Sequence, residues 1–212
     1  MGVTIHYKGR LKSPELVADL VMEVADICQT HDWKYHYIDE TENDPIGIKL
    51  RGIHFKPHEE SESVFFAFDS EGYLCNFLSM IVGMERENKM QWVFTKTQFA
   101  GSETHIQVIH LLRYLKKKYF KKMIISDEGG YYPHNDKELL DSRIGFLNNA
   151  INTISDIFEH SELGDKSPDE IVDHLQDALT RSFKDLNIQI LRIEAKDLPD
   201  DVRRQIEQQE EE

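Results

Sequence analysis

Apolar and polar positions alternate from Val3 to Lys8, which predicts a strand, and Gly9-Arg10 reads as the turn out of it. The period then changes. Leu16, Leu20, Val24 and Ile27 recur at steps of three or four and form the apolar stripe of a helix. Ser13-Pro14-Glu15 opens it, because Ser caps well and Pro needs no donor in the first turn. Trp33 to Ile38 is aromatic-rich and reads as a second strand. Beyond an acidic loop, Asp39 to Pro45, alternation returns over Ile46 to Lys56, and an apolar run follows at Val64 to Phe68. Asp69-Ser70-Glu71-Gly72 is a hairpin turn with Gly in the positive-φ place, and Tyr73 to Val82 is its partner strand. Met90 to Gln98 comes back extended. Consecutive strands joined by short turns predict an antiparallel meander.

Helical spacing resumes at Gly101-Ser102, with Val108, Leu112, Leu115 and Tyr119 as the stripe, and the helix ends in a lysine-rich turn. Met123 to Ser126 is a short apolar strand. Asn135-Asp136-Lys137-Glu138 reads as a capping box with Asn135 as N-cap. It opens a long helix whose seam is Leu140, Ile144, Leu147, Ile151, Ile154 and Phe158. Ser167-Pro168-Asp169-Glu170 starts a further helix through Ile171, Leu175, Leu179 and Phe183, and Leu186, Ile188 and Ile190 alternate as a late strand. From Pro199 the chain is almost wholly polar. The strands do not alternate regularly with helices, so the expected class is α+β: a mainly antiparallel sheet with helices packed on one face, plus a helical C-terminal region. The expected division is a sheet domain over residues 1–130, a helical region over 131–198 and a disordered tail over 199–212.

Composition narrows the function classes. Of 212 residues 40% are hydrophobic, enough for a core, and 39 acidic against 25 basic residues leave a net charge of −14. Such a surface repels phosphate backbones and anionic membranes, and fits a basic protein partner, a cation or plain solubility. Cys28 and Cys75 sit in apolar patterns and read as small buried hydrophobes, not as zinc or disulfide positions. The N-terminal segment lacks a signal-peptide pattern, and no run approaches a membrane span, so a cytoplasmic protein is expected. The chain has no GxGxxG, Walker A, GxSxG or zinc-ribbon motif, and no cofactor is expected.

Two polar segments flank the second helix and carry the candidate chemistry. In Trp92 to Gly101, strand alternation puts Thr95 and Thr97 on one face, with Lys96 and Gln98 on the other. Amides at the helix start there suit an anion, reinforced by Lys96. His105 shares the helix's apolar face close by. In Asp127-Glu128-Gly129-Gly130-Tyr131-Tyr132, adjacent carboxylates end a strand, the glycines let backbone approach a ligand, and the tyrosines offer stacking. The candidate catalytic set is Lys96, His105, Asp127 and Glu128, and the candidate ligand-binding set is Thr95, Thr97, Gln98, Tyr131 and Tyr132. The plain reading of each segment is structural: a strand edge, a satisfied core histidine, and a tight loop sealed by tyrosines. His54 and His58 lie four apart, but Pro57 forbids a regular helix between them, so no metal site is expected. Arg113 to Lys122 holds six basic residues in ten, which also complements a helix C-terminus.

The segments Gly2 to Leu11, Thr95 to Gly101 and Asp127 to Tyr132 resemble a family of bacterial proteins with no assigned activity. That resemblance spans most of residues 1–150, implies a bacterial cytoplasmic protein and transfers no functional residues. Element order over 1–121 is similar to α+β folds with two helices on one face of a curved antiparallel sheet, such as the TATA-binding-protein saddle, a likeness of fold alone. The leading expectation is a protein-interaction or ligand-binding module that meets a protein partner, or itself, through the 140–158 seam. One alternative is a hydrolase or transferase using a cleft between residues 95–105 and 127–134, with Asp127 or Glu128 as base and Lys96 and His105 stabilising negative charge. Another is an RNA-associated protein using Arg113 to Lys122, against which the overall acidity argues.

Overall fold

Strand β1 (Thr4–Leu11) organises the molecule, because its odd positions Ile5, Tyr7 and Leu11 are buried while His6, Lys8 and Arg10 face outward. The computed structural model describes residues 3–40, 49–77 and 89–160. After β1 come α1 (Leu16–Thr30), β2 (Lys34–Glu40), β3 (Leu50–Lys56), β4 (Val64–Phe68) and β5 (Leu74–Cys75). Next are β6 (Val93–Lys96), a 3₁₀ turn (Gln98–Ala100), α2 (Gly101–Lys118), β7 (Phe120–Asp127) and α3 (Lys137–His160). The class is α+β with antiparallel sheets, as expected.

Two ladders form, β6-β1-β7 and β2-β3-β4-β5, and every strand pair in them is antiparallel. The second is the expected meander. The first is non-local: Ile5 pairs with both Thr95 and Asp127. Short ties join the ladders. Arg10 bridges Tyr73, the Glu62 and Lys96 backbones meet, and the Tyr7 hydroxyl both donates to the Phe65 carbonyl (2.9 Å) and accepts from its N–H (3.0 Å). Tyr7 is fully buried, which by itself raises its phenol well above the usual value, with the Phe65 backbone hydrogen bond, an N–H donated to the phenol oxygen, partly opposing it. Helices α1 and α2 cover the inner face, where Leu20, Val24, Leu112 and Leu115 meet Phe55, Phe66 and Ile125. A smaller apolar cluster, Ile38, Leu50, Ala67 and Cys75, lies on the opposite face of the second ladder.

Several sequence expectations need adjustment. Gly9-Arg10 is not a turn, since β1 continues to Leu11; a Cβ at Gly9 would stand 2.6 Å from the Lys122 carbonyl, so this Gly permits close strand approach. Asn135 is not the N-cap of α3. Its φ is +62°, and Asp136 Oδ1 instead accepts the Leu139 N–H at 2.8 Å. β7 runs from Phe120, three residues earlier than expected, because Leu11 pairs with Phe120 across a register shift. After the Asp69–Gly72 turn Leu74–Cys75 pair with β4, and the expected strand beyond Phe77 lies outside the described residues, while Asp69 Oδ1 holds the turn by accepting from Glu71 and Tyr73.

The chain divides into two units, Met1–Asn149 and Ala150–Glu212, within α3. In the first, Leu140 and Ile144 are buried in the main core, so the first two positions of the expected seam are already occupied. In the second, the described part is helical, through His160, and Ile151 is exposed. The side chains of Leu147, Ile154 and Phe158, the expected linker at Gly164, the helix from Ser167, the late strand and the polar tail lie outside the described residues. No helix among the described residues is long and apolar enough to cross a membrane.

Candidate functional site

Strand alternation divides the expected constellation between two faces of the β6-β1-β7 ladder. Thr95 and Thr97 turn inward and are fully buried, and so does Asp127; Lys96 and Glu128 turn outward. His105 projects from the first turn of α2 into the same interior. There it meets two partners. The His105 Nδ1 and Thr97 Oγ1 atoms share a hydrogen bond at 2.7 Å, and Nε2 lies 3.0 Å from Asp127 Oδ1, off the ring N–H axis. With Nδ1 accepting the Thr97 hydroxyl proton, Nε2 carries a ring N–H that faces the Asp127 carboxylate without being aligned on it. The Asp127 carboxylate also accepts the N–H groups of Gly129 (2.6 Å) and Tyr132 (2.8 Å). Burial alone raises the Asp127 carboxyl; His105 and those two backbone donors outweigh it and hold the group below the usual carboxylate range.

The buried cluster is closed. Side chains of both His105 and Asp127 have 0% exposure, so no atom of the pair is presented to a substrate. Gly129, expected to admit a ligand, admits protein instead. A Cβ there would stand 2.6 Å from Leu140 of α3 and 3.0 Å from His105. At Gly130, with φ +79°, a Cβ would approach Leu139 at 2.8 Å and Arg143 at 3.0 Å. Tyr131 seals the core, its hydroxyl paired with His110 at 3.1 Å. Of the amides leading into the helix, Thr97 N–H donates to the Val3 carbonyl and Ala100 N–H to the Thr97 carbonyl. Gln98 faces inward, and its Oε1 accepts the Val3 N–H at 3.3 Å, whereas its buried Nε2 has no hydrogen-bond partner among the described residues. The Thr97–His105–Asp127 network thus ties β6, α2 and the loop after β7 together.

Outside, Glu128 receives the Thr4 N–H (3.1 Å) and pairs with His6 Nε2 (3.3 Å). Lys96 lies beside Thr4 in the next strand, in the same outer row. Sequence reasoning missed the company these residues keep. His6 is flanked by the exposed rings of Trp92 and Phe94, and Lys8 Nζ stands 4.3 Å from the centre of the Trp92 ring. Period-two alternation in β1 was the available signal; the partner strand's register was not.

Among the described residues of the first unit, the surface hollows include two of unlike charge. One, of about 570 Å³, lies where α1 begins over β2 and β3, and mixes Glu15, Asp39 and Asp69 with Lys49 and Arg51 over apolar walls. The other, an open cleft of about 600 Å³ at the C-terminal end of α2, is of one sign. Arg113, Lys116, Lys117, Lys121 and Lys122 line it, together with Tyr132. None of these five cations has a carboxylate partner among the described residues. Lys118, which points elsewhere, does: it pairs with Glu23 of α1 at 2.6 Å. Arg113 is braced by Asn135 Oδ1 and the Pro133 carbonyl, and Arg113 and Lys116 both stand over the Tyr132 ring, at 5.2 and 5.8 Å.

His54 does not join His58. It stacks between His36 (5.2 Å) and Phe65 (5.0 Å), while His58 Nδ1 accepts the Glu60 N–H. No group of three or more potential metal-ligating side chains converges among the described residues. Compared with protein-family models, curated proteins and solved structures, the chain matches none of them.

Proposed function

We propose that this protein is a binding module for an anionic ligand, which it receives in the basic cleft at the end of α2. The observation that carries this is the set of five cations, Arg113, Lys116, Lys117, Lys121 and Lys122, gathered without carboxylate partners in a chain of net charge −14. Acidic residues outnumber basic ones by 39 to 25, so scattering alone would leave such a group interrupted by Asp or Glu. Gathered cations repel one another, and a bound anion relieves that repulsion while gaining Coulomb attraction of its own. Arg113, held by Asn135 and Pro133, offers a pre-set fork for paired oxygens, and the lysines supply adaptable point charges.

A hydrolase or transferase reading has less support. Of its four groups, the His105 and Asp127 side chains are fully buried, and Lys96 and Glu128 stand on the other face of the sheet. Titration calorimetry with inorganic tripolyphosphate tests the binding reading. Saturable binding that weakens at least tenfold in Lys116→Ala/Lys121→Ala, both exposed or half-buried positions whose loss leaves the core intact, is the expected result. Absence of binding at low ionic strength would sink it.

A further inference from the structure

Resting on the anionic-ligand reading, we infer that the ligand is a single-stranded nucleic acid whose phosphates occupy the cleft and whose bases stack on the outer face of β6-β1-β7. The cleft and that face are continuous through Lys122, which lines the one and pairs with Arg10 on the other. From Lys122 the face runs in register. Arg10 lies beside Lys122, Lys8 beside Ile124 with Trp92 against it, and His6 beside Phe94 and Ser126. Lys96 ends the series beside Thr4. Trp92, Phe94 and Ile124 are exposed by 41, 43 and 38%, two rings and an aliphatic side chain that the core does not use.

The chemistry of this face selects among anions. Inorganic phosphate or a carboxylate needs only the cations. Trp92 and Phe94, spaced two residues apart along one strand, stand roughly 7 Å apart along it, a separation that successive bases of an extended strand can span. Flanking Lys8, Arg10, Lys96 and Lys122 then sit beside the rings where a sugar-phosphate backbone must pass; among the described residues of these three rows Glu128 alone is acidic and is paired with His6, while the Glu62 carboxylate at the edge of β6 is taken up by the Lys96 N–H. Aromatic rings set among cations on an open sheet are how sequence-tolerant single-strand binding is built, since every base has a π-face. A duplex keeps its bases stacked within itself and leaves the rings unused. The net charge of −14 opposes approach, but at physiological salt its reach is about 8 Å, so the local cations govern contact, and their pairing with phosphates makes binding weaken as salt rises.

The test uses the full chain and fluorescence anisotropy with labelled 12-nucleotide oligouridine and oligothymidine strands, a duplex of equal length, and polyglutamate as competitor. Both single strands should bind, with a preference for one reporting whether RNA or DNA is the better source of the same chemistry. Trp92→Ala and Phe94→Ala should each weaken single-strand binding about tenfold while leaving tripolyphosphate binding in the cleft unchanged. Both side chains are exposed, and unchanged circular dichroism and melting would show that the variants fold. If the ring variants bind oligonucleotides like the parent, while Lys116→Ala/Lys121→Ala loses both ligands, the stacking inference falls and the anion reading stands. If neither oligonucleotide nor tripolyphosphate binds, both fall. Equal affinity for the duplex, or displacement of the strand by polyglutamate at equal charge concentration, would also overturn the inference.

Discussion

At the scale of single residues, burial decides which polar groups hold the fold and which are left for a ligand. Asp127 is a holding group: its carboxylate takes two backbone donors and lies against His105 with no water contact. Replacing it by Asn keeps the shape but turns an amide NH₂ toward donors. A loss of about 2–4 kcal/mol in urea unfolding is expected for Asp127→Asn, in the range for breaking a buried pair. Because Asp127 titrates below its unfolded value of about 3.9, its contribution is complete above that pH and disappears as pH falls through the folded value. His54 works in the opposite sense. Burial, and then neighbouring His36, lower its pKa, so the unfolded chain binds the proton more readily. Stability should therefore drop as pH falls below about 6.5, the unfolded value. His54→Phe, which preserves stacking between His36 and Phe65, should flatten that part of a melting-temperature profile between pH 7 and 5.

At the scale of elements, glycine separates two kinds of constraint. Gly52 of β3 lies so close to β4 that a Cβ would stand 1.8 Å from the Phe66 carbonyl. Gly101 has φ +80° but open space around it. Gly52→Ala should therefore prevent a native β3-β4 ladder, read as loss of soluble folded protein, whereas Gly101→Ala should cost about 1–3 kcal/mol from conformation alone and still fold. Local constraints are legible along the chain, and those set by distant neighbours are hidden. The stripes of α1 and α2, the strand at Val64–Phe68 and the Asp69–Gly72 turn follow from local periodicity and turn chemistry, and they stand where that reasoning puts them. Gly9 looked like a turn because glycine's role in permitting strand approach depends on Phe120 and Lys122, more than a hundred residues away. The candidate site divided similarly. His105 on the apolar face of α2 was readable, and so was the alternation of Thr95, Lys96 and Thr97. The buried network it joins was not, since that depends on β1 pairing with both β6 and β7. Gln98 breaks the alternation because the chain enters a 3₁₀ turn there and brings it inside.

At the scale of the whole molecule, charge is unevenly placed. A net −14 describes the chain and says little about the end of α2, where five cations meet without a carboxylate among the described residues. Arg113 to Lys122 reads in sequence as a solvated helix end, and part of it is: Lys118 pairs with Glu23 and tethers α1 to α2. The helix end becomes a cleft because Lys121 and Lys122 belong to β7 and the loop carrying Tyr132 folds beside them. The central place of β1 has a consequence for synthesis. This strand is translated more than a hundred residues ahead of β7, the second of its two neighbours. At ribosomal speeds of about 5–20 residues per second, that is a wait of roughly 5–20 s. Until then Ile5, Tyr7 and Leu11 have no finished sheet to enter, and the nascent chain is most in need of shelter during that interval.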